Sequence, residues 1–338
     1  MNVLLTCAGR RNYLVGYFRA ALAGRGLVFA ADSSPEAPAL QEADRALIIP
    51  PAGRSDYAEH LLRLCRDNRI RLLFSLNDLE LPVLAPHREL FRRQGTELVV
   101  SRPSVIELCF DKWATARFLR EQGLRTPRTW LGLDHALAAL EHGELACPLV
   151  IKPRWGSNSI GIAFVDDPDE LVPTYRLMER VVARSILAAP SAARDPDALL
   201  LVQERIVGEE HGLDIVNDLR GRYATTFVKR KLAMRAGETD RAVTVADDEL
   251  ERLGATLGRS LGHIGNLDCD VFVTEGAVHV LELNPRFGGG YPFSHAAGAD
   301  LPAAFLAWAA GEEPDPRWLR VRPGVRAAKC ERIVVVGS

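Results

Sequence analysis

Glu282-Leu283-Asn284-Pro285-Arg286-Phe287-Gly288-Gly289-Gly290 ends the second arm of a predicted hairpin, residues 269–274 and 277–283, turned by Glu275-Gly276. In a strand, residues i and i+2 face the same side, so Glu282 and Asn284 point together. The hairpin can bring Asp270, on the first arm, beside them. Three oxygen-bearing side chains on one face suit Mg²⁺, which takes hard oxygen ligands and keeps water or substrate phosphate in its other positions. Two carboxylates buried side by side without a cation are costly. A salt bridge from Arg286 is the plain alternative.

Upstream, Val150-Ile151-Lys152-Pro153-Arg154-Trp155-Gly156-Ser157-Asn158-Ser159-Ile160-Gly161 reads as a strand that delivers a lysine into a loop of small residues. Residues 162–165 return as its hairpin partner. Gly156 and Gly161 let the backbone approach a ligand, and successive N–H groups can cradle phosphate oxygens. No GxxxxGK[ST] is present, so this is not a Walker loop. An ordinary hairpin with a long tip is the alternative. Between these stretches lies Val202-Gln203-Glu204-Arg205-Ile206-Val207-Gly208-Glu209-Glu210, a strand running into a linker. Its backbone can pair with a purine edge, and a following carboxylate can accept from ribose hydroxyls. A solvated acidic loop would read the same way.

Further outward, Asp111-Lys112-Trp113 opens a helix that Gly123 stops, and residues 169–185 read as another. Residues 186–198 look like a loop. Strands follow at about 212–217 and 223–229, then a polar stretch, then a helix from Asp247 to Leu261. In the first hundred residues, short apolar runs at 3–5, 27–30, 46–49, 72–74 and 98–100 alternate with helical patterns at 12–23 and 57–68. That alternation implies a parallel sheet covered on both faces. The GxGxxG spacing of dinucleotide folds is missing, because Gly9 stands alone beside Arg10 and Arg11. Asn77, Asp78 and Glu80, just past the fourth run, either line the crevice at the strand ends or cap the next helix.

The chain has 338 residues, 47% hydrophobic and 25% charged, ordinary for a globular enzyme of two or three units. A formal net charge of -2 argues against a general nucleic-acid binder. No apolar run has the ~18–20 residues of a membrane helix. No basic segment and apolar core mark a signal peptide. The six cysteines, Cys7, Cys65, Cys109, Cys147, Cys269 and Cys330, form no CxxC pair, and free thiols in a reducing cytoplasm are expected.

This order of motifs resembles the ATP-grasp superfamily, and within it the stand-alone carboxylate–amine ligases related to the carbamoyl-phosphate synthase large subunit. The resemblance runs from residue 1 to about residue 310. It implies an α/β fold, α+β in part. An N-terminal Rossmann-like parallel αβ domain would span 1–110, and a small lid region with the glycine loop 111–198. A C-terminal antiparallel-sheet subdomain with the metal site would span 199–310, with a tail over 311–338 packing back on it. By position, Lys112 and Lys152 resemble the lysines that hold ATP phosphates. Gly156, Ser157, Ser159 and Gly161 resemble the mobile loop that closes over them and shields the intermediate from water. Gln203, Glu204 and Ile206 resemble the adenine hinge, and Glu210 the ribose carboxylate. Asp270, Glu282 and Asn284 resemble the magnesium ligands, although relatives often carry Gln or Glu at the first. Arg286 resembles the arginine that steadies the phosphate.

A departure lies at Lys229-Arg230-Lys231, where relatives often carry arginines. Lys229 and Lys231 would face one side and Arg230 the other; at least one of the three is expected to meet phosphate or the substrate carboxylate, with Arg230 taken as the catalytic cation. The implied cofactors are ATP and Mg²⁺, with Mn²⁺ as a substitute. The implied partners are small-molecule carboxylates and amines, amino-acid-like, with no nucleic acid, no membrane and a homodimer left open. The implied reaction forms an amide through an acyl-phosphate, releasing ADP and phosphate. Bicarbonate activation and non-catalytic nucleotide binding are its rivals.

Overall fold

The computed structural model describes residues 1–156, 160–195 and 198–336. Five strands make the first sheet: β1 (Asn2–Thr6), β2 (Val28–Asp32), β3 (Arg45–Ile48), β4 (Ile70–Ser75) and β5 (Glu97–Val99), in the order β3-β2-β1-β4-β5. All neighbours are parallel. Alternation assigns their side chains to two cores. Val3, Leu5, Val28 and Ala30 pack with the helix Asn12–Leu22, whereas Leu4, Phe29 and Ala31 pack with the helix Tyr57–Asp67.

The second sheet is antiparallel and contains β6 (Thr129–Leu131), β7 (Leu149–Pro153), β8 (Ala163–Val165) and β9 (Leu200–Glu204), in the order β6-β9-β7-β8. β9 stands where the third unit was expected to open. Its hydrogen bonds run instead to β6 and β7, so it closes the lid sheet. The stretch 186–198 was expected as a loop. It contains a short helix, Ala188–Ala192, whose small residues cost little to order.

The third sheet is antiparallel and has six strands: β10 (Glu209–Asn217), β11 (Tyr223–Arg235), β12 (Glu238–Thr244), β13 (Gly265–Thr274), β14 (Ala277–Asn284) and β15 (Arg326–Ala328), in the order β14-β13-β10-β11-β12-β15. β12 falls on the stretch read as merely polar. Its outer residues face water, and the alternation is masked by Asp240 and Arg241. The helix Asp248–Leu261 covers this sheet, started by Asp247, whose side chain accepts from the N–H groups of Glu249 and Leu250.

The first and third sheets share a core. Phe74 of β4 packs on Phe287 and Phe305, with ring centroids 5.8 and 5.3 Å apart. This contact fixes the segment after β14 against the carboxyl ends of the parallel strands. Among the described residues no helix is long and apolar enough to cross a membrane. All six cysteines are free.

Candidate active site

β13 and β14 carry the central face. Asp270 lies opposite Glu282, and Asp268 opposite Asn284. All four line a cavity of about 200 Å³, to which Arg11 comes from the N-terminal domain and Lys152, Gly156, Ile160 and Ile162 from the lid. The predicted metal ligands Asp270, Glu282 and Asn284 are therefore neighbours.

The two predicted phosphate lysines approach this face from the lid side. Asp111 caps the helix Lys112–Glu121 by accepting from the N–H groups of Trp113 and Ala114, and Arg154 grips the same carboxylate at 2.8 Å. The backbone N–H of Lys112 also donates to the Arg154 carbonyl, at 3.0 Å. Lys112 is thereby aimed inward. Its Nζ donates to the Gly156 carbonyl at 2.6 Å and lies 3.3 Å from Glu282. Lys152 projects from β7 and is 5% exposed. Burial, reinforced by Lys112 and opposed by Glu282, lowers its ammonium to about 8.

Gly161 sits at φ +72, and a Cβ there would lie 3.0 Å from Val182. Only glycine takes this position without strain. The predicted loop residues Ser157 and Ser159 lie outside the described residues.

Opposite the lysines, Lys231 bridges Glu210 and Asp270, each at 2.7 Å. Burial opposes the charge of Lys231, but Asp270 and Glu210 raise its affinity for the proton well above the usual lysine range. Lys229 is fully buried against Asp214 at 2.7 Å, and it also lines the cavity. Arg230 is a correction. It points to the other face of β11, where Glu209 holds it at 2.8 Å, and it does not line the cavity. Strand alternation makes this unavoidable once Lys229 and Lys231 face inward.

Arg286 lies at the junction with the first domain. Its Nη2 donates to Asp78 at 2.7 Å, and its Nη1 lies 3.7 Å from Asp268. Both Arg286 and Asp78 side chains are 8% exposed. Burial works against the guanidinium charge, but Asp78 and Asp268 hold it charged. The alternatives left open for the crevice residues divide among them. Asp78 faces the cavity edge through Arg286. Asn77 does not cap the following helix, Leu81–Leu84; its side chain accepts from the Leu79 N–H at 2.9 Å in the turn before it. Glu80 is buried, accepting from Thr6, Ser75 and Tyr57 at 2.8, 2.6 and 2.5 Å.

The expected hinge residues are not brought to the cavity wall. Gln203 is buried and donates to the Thr129 hydroxyl at 2.7 Å, and the Glu204 carboxylate pairs with Arg128 at 2.8 Å. The Glu204 N–H is used by the Arg128 carbonyl. Among the described residues, the Ile206 N–H has no backbone partner.

Arg11, which lines the cavity, belongs to the Gly9-Arg10-Arg11 crevice expected from the sequence to help select the substrates, whereas sequence reasoning missed Asp268. Asp268 was within reach of the rule that linked Glu282 to Asn284, since it stands two residues before Asp270 on the same strand face. Burial and then Asp270 push its carboxyl up to about 7, against the pull of Arg286.

Among the described residues no three His, Cys, Asp or Glu side chains form a complete metal cage. The donor set still fits Mg²⁺. Two carboxylates, each now met by a lysine, and one amide match an ion that relies on phosphate and water for its remaining ligands.

A family model for the ATP-grasp domain matches residues 109–290, more than half of the chain, and one for the PylC-like N-terminal domain matches residues 3–99. The carbamoyl phosphate synthase large chain of Mesorhizobium japonicum is 24% identical over 269 residues, covering 70% of this chain and 22% of that one. A D-alanine–D-alanine ligase of Bacillus anthracis is 28% identical over 191 residues, covering 52% of this chain and 57% of the ligase. The chain thus spans about a fifth and little more than half of these relatives. Among solved structures, the biotin carboxylase domain of a Hydrogenobacter thermophilus 2-oxoglutarate carboxylase, in complex with magnesium ADP, ADP and bicarbonate, superposes with a TM-score of 0.74. Identity there is 17%, over 96% of this chain and 73% of that one. Parallel domain, lid sheet, lysine-bearing strand and carboxylate hairpin occur in one order in sequence and in space, and the chain belongs to the ATP-grasp family.

Proposed function

We propose that this chain joins a carboxylate to an amine at the expense of ATP, releasing ADP and phosphate, with amino-acid-like substrates. The single observation that carries this reading is the opposition of Lys112 and Lys152 to the Asp270–Glu282–Asn284 face across one cavity. Phosphoryl transfer needs charge neutralisation and in-line placement more than a nucleophilic side chain. Lys112 and Lys152 bind the phosphates from the lid side, and Arg286 steadies the group transferred. Mg²⁺, held by Asp270, Glu282 and Asn284, supplies further charge neutralisation when bound. The substrate carboxylate oxygen attacks the γ-phosphorus, giving an acyl-phosphate and ADP. The amine then attacks the acyl carbon, the carbon–oxygen bond to phosphate breaks, and inorganic phosphate leaves.

Ile160 and Ile162 give the lid side apolar walls, which suits an intermediate that water would destroy. The matching D-alanine–D-alanine ligase supports the carboxylate–amine reading. A second reading, activation of bicarbonate, draws on the carbamoyl phosphate synthase match and on the bicarbonate in the carboxylase complex. ADP release measured with ATP, Mg²⁺ and amino acids offered in pairs, with and without bicarbonate, separates them. Release that needs two amino acids and no bicarbonate supports ligation. Release that needs bicarbonate overturns it.

A further inference from the structure

Among the described residues five carboxylates line the cavity, and four of them have a close lysine. Glu210 and Asp270 share Lys231 at 2.7 Å, Glu238 meets Lys329 at 2.7 Å, and Glu282 meets Lys112 at 3.3 Å. Asp268 is the exception. Its nearest cation is Arg286 at 3.7 Å, and that guanidinium is committed to Asp78 at 2.7 Å. Among the described residues no group donates a hydrogen bond to the Asp268 carboxylate. Its side chain is only 15% exposed, so water satisfies it poorly. A buried carboxylate without a close cation is costly unless something completes it.

The surroundings are built around this group. Gly288 passes so close that a Cβ there would lie 2.1 Å from the Asp268 carboxyl carbon. The carboxylate therefore stands against a bare backbone turn, beside Arg286.

We propose that Asp268 is the docking point for the amine substrate, which enters as a primary ammonium ion and is held by this carboxylate next to Arg286. This rests on the ligase reading above. An ammonium has three donors and one charge, matching a carboxylate with no donor of its own. Docking there places the nitrogen beside the arginine assigned to the activated group. The ammonium then gives one proton to solvent, the freed lone pair forms the C–N bond as the C–O bond to phosphate breaks, and a second proton leaves the nitrogen to give the amide. Asp268 thereby sets specificity for the nucleophile and leaves activation of the carboxylate to the lysines. A substrate whose nucleophile carries no positive charge gains nothing from it.

Hydroxylamine tests the inference, because it is largely uncharged at pH 7.5 and captures acyl-phosphates as hydroxamates. The wild-type chain receives ATP, Mg²⁺, the twenty standard amino acids and hydroxylamine, and the ratio of amide to hydroxamate is measured by mass spectrometry. In Asp268→Asn that ratio should fall at least tenfold, and Asp268→Glu should return it to within threefold of the wild type. An unchanged ratio in Asp268→Asn overturns the proposal, and so does a parallel loss of both products, which would assign Asp268 to the phosphate chemistry. Asp268→Ala, which removes charge and bulk, must show the same fall in ratio, so that a misfolded asparagine variant does not decide the matter. Absence of hydroxamate from the wild type is a different failure and refutes the ligase reading itself.

Discussion

Replacing Lys152 by methionine removes a cation that the cavity has stripped of water while keeping an unbranched side chain of similar length. The structure assigns a size to what the wild type gives up. Lys152 is 5% exposed, and burial, with Lys112 adding to it, lowers its ammonium from 10.5 to about 8. Each tenfold loss of proton affinity is worth ~1.4 kcal/mol, so holding this lysine charged in the folded state costs about 3 kcal/mol at neutral pH. The sign follows from linkage. Below pH 8 both folded and unfolded chains hold the proton, and the full penalty is present. Between 8 and 10.5 the unfolded chain binds more protons than the folded one, so the penalty shrinks. Above 10.5 the group is neutral in both states and the penalty is gone. Lys152→Met should therefore raise the free energy of unfolding in urea at pH 7 by up to about 3 kcal/mol. The gain over wild type should vanish toward pH 10.5. ADP release should meanwhile fall by roughly 100-fold or more, as expected when one positioned charge is withdrawn from a transition state. A methionine variant that is less stable than wild type at pH 7, or whose advantage ignores pH, would refute the reasoning.

The remaining expectations concern the same cavity. Glu282→Gln should abolish turnover, by roughly 100-fold or more, with thermal unfolding within a few degrees of wild type; normal activity removes the metal assignment. Arg230→Ala, on the outer face, should change kcat/KM less than threefold, whereas Lys231→Ala should lower it strongly; the reverse order would mean that β11 is turned over in the working enzyme. The apparent kcat/KM for ATP should decline as pH rises through about 8, because free Lys152 loses its charge there, and a flat profile to pH 9.5 contradicts the phosphate role. ATP should be preferred over GTP if the backbone at Glu204 and Ile206 reads the base edge, and equal rates remove the hinge.

Much of the fold was legible because its periodicities were strong. The strands of the first sheet alternate with amphipathic helices, and the hairpin of β13 and β14 turns at Glu275-Gly276 as read. β12 was lost because its Glu, Asp and Arg residues expose part of the strand and break the apolar signal. β9 was detected but assigned to the wrong sheet, since pairing partners are set by tertiary contacts that no local pattern encodes. In the site, strand spacing pointed to Asp270, Glu282, Asn284 and Lys152 and the family resemblance to Lys112, and the structure gathers these five around one cavity. Among Lys229, Arg230 and Lys231 the sequence separated one face from the other but could not say which turns inward, and the structure turns Arg230 outward. The Arg286–Asp78 pair joins residues 208 apart, so the sequence could offer each partner but not the bond.

Oxygen transfer tests the central claim most directly. A pool of amino acids whose carboxylates have been exchanged to ¹⁸O is incubated with ATP, Mg²⁺ and the protein, and the released phosphate is weighed by mass spectrometry. Activation of a carboxylate by the γ-phosphate predicts one ¹⁸O in each phosphate released with ADP. ADP release accompanied by unlabelled phosphate would contradict it.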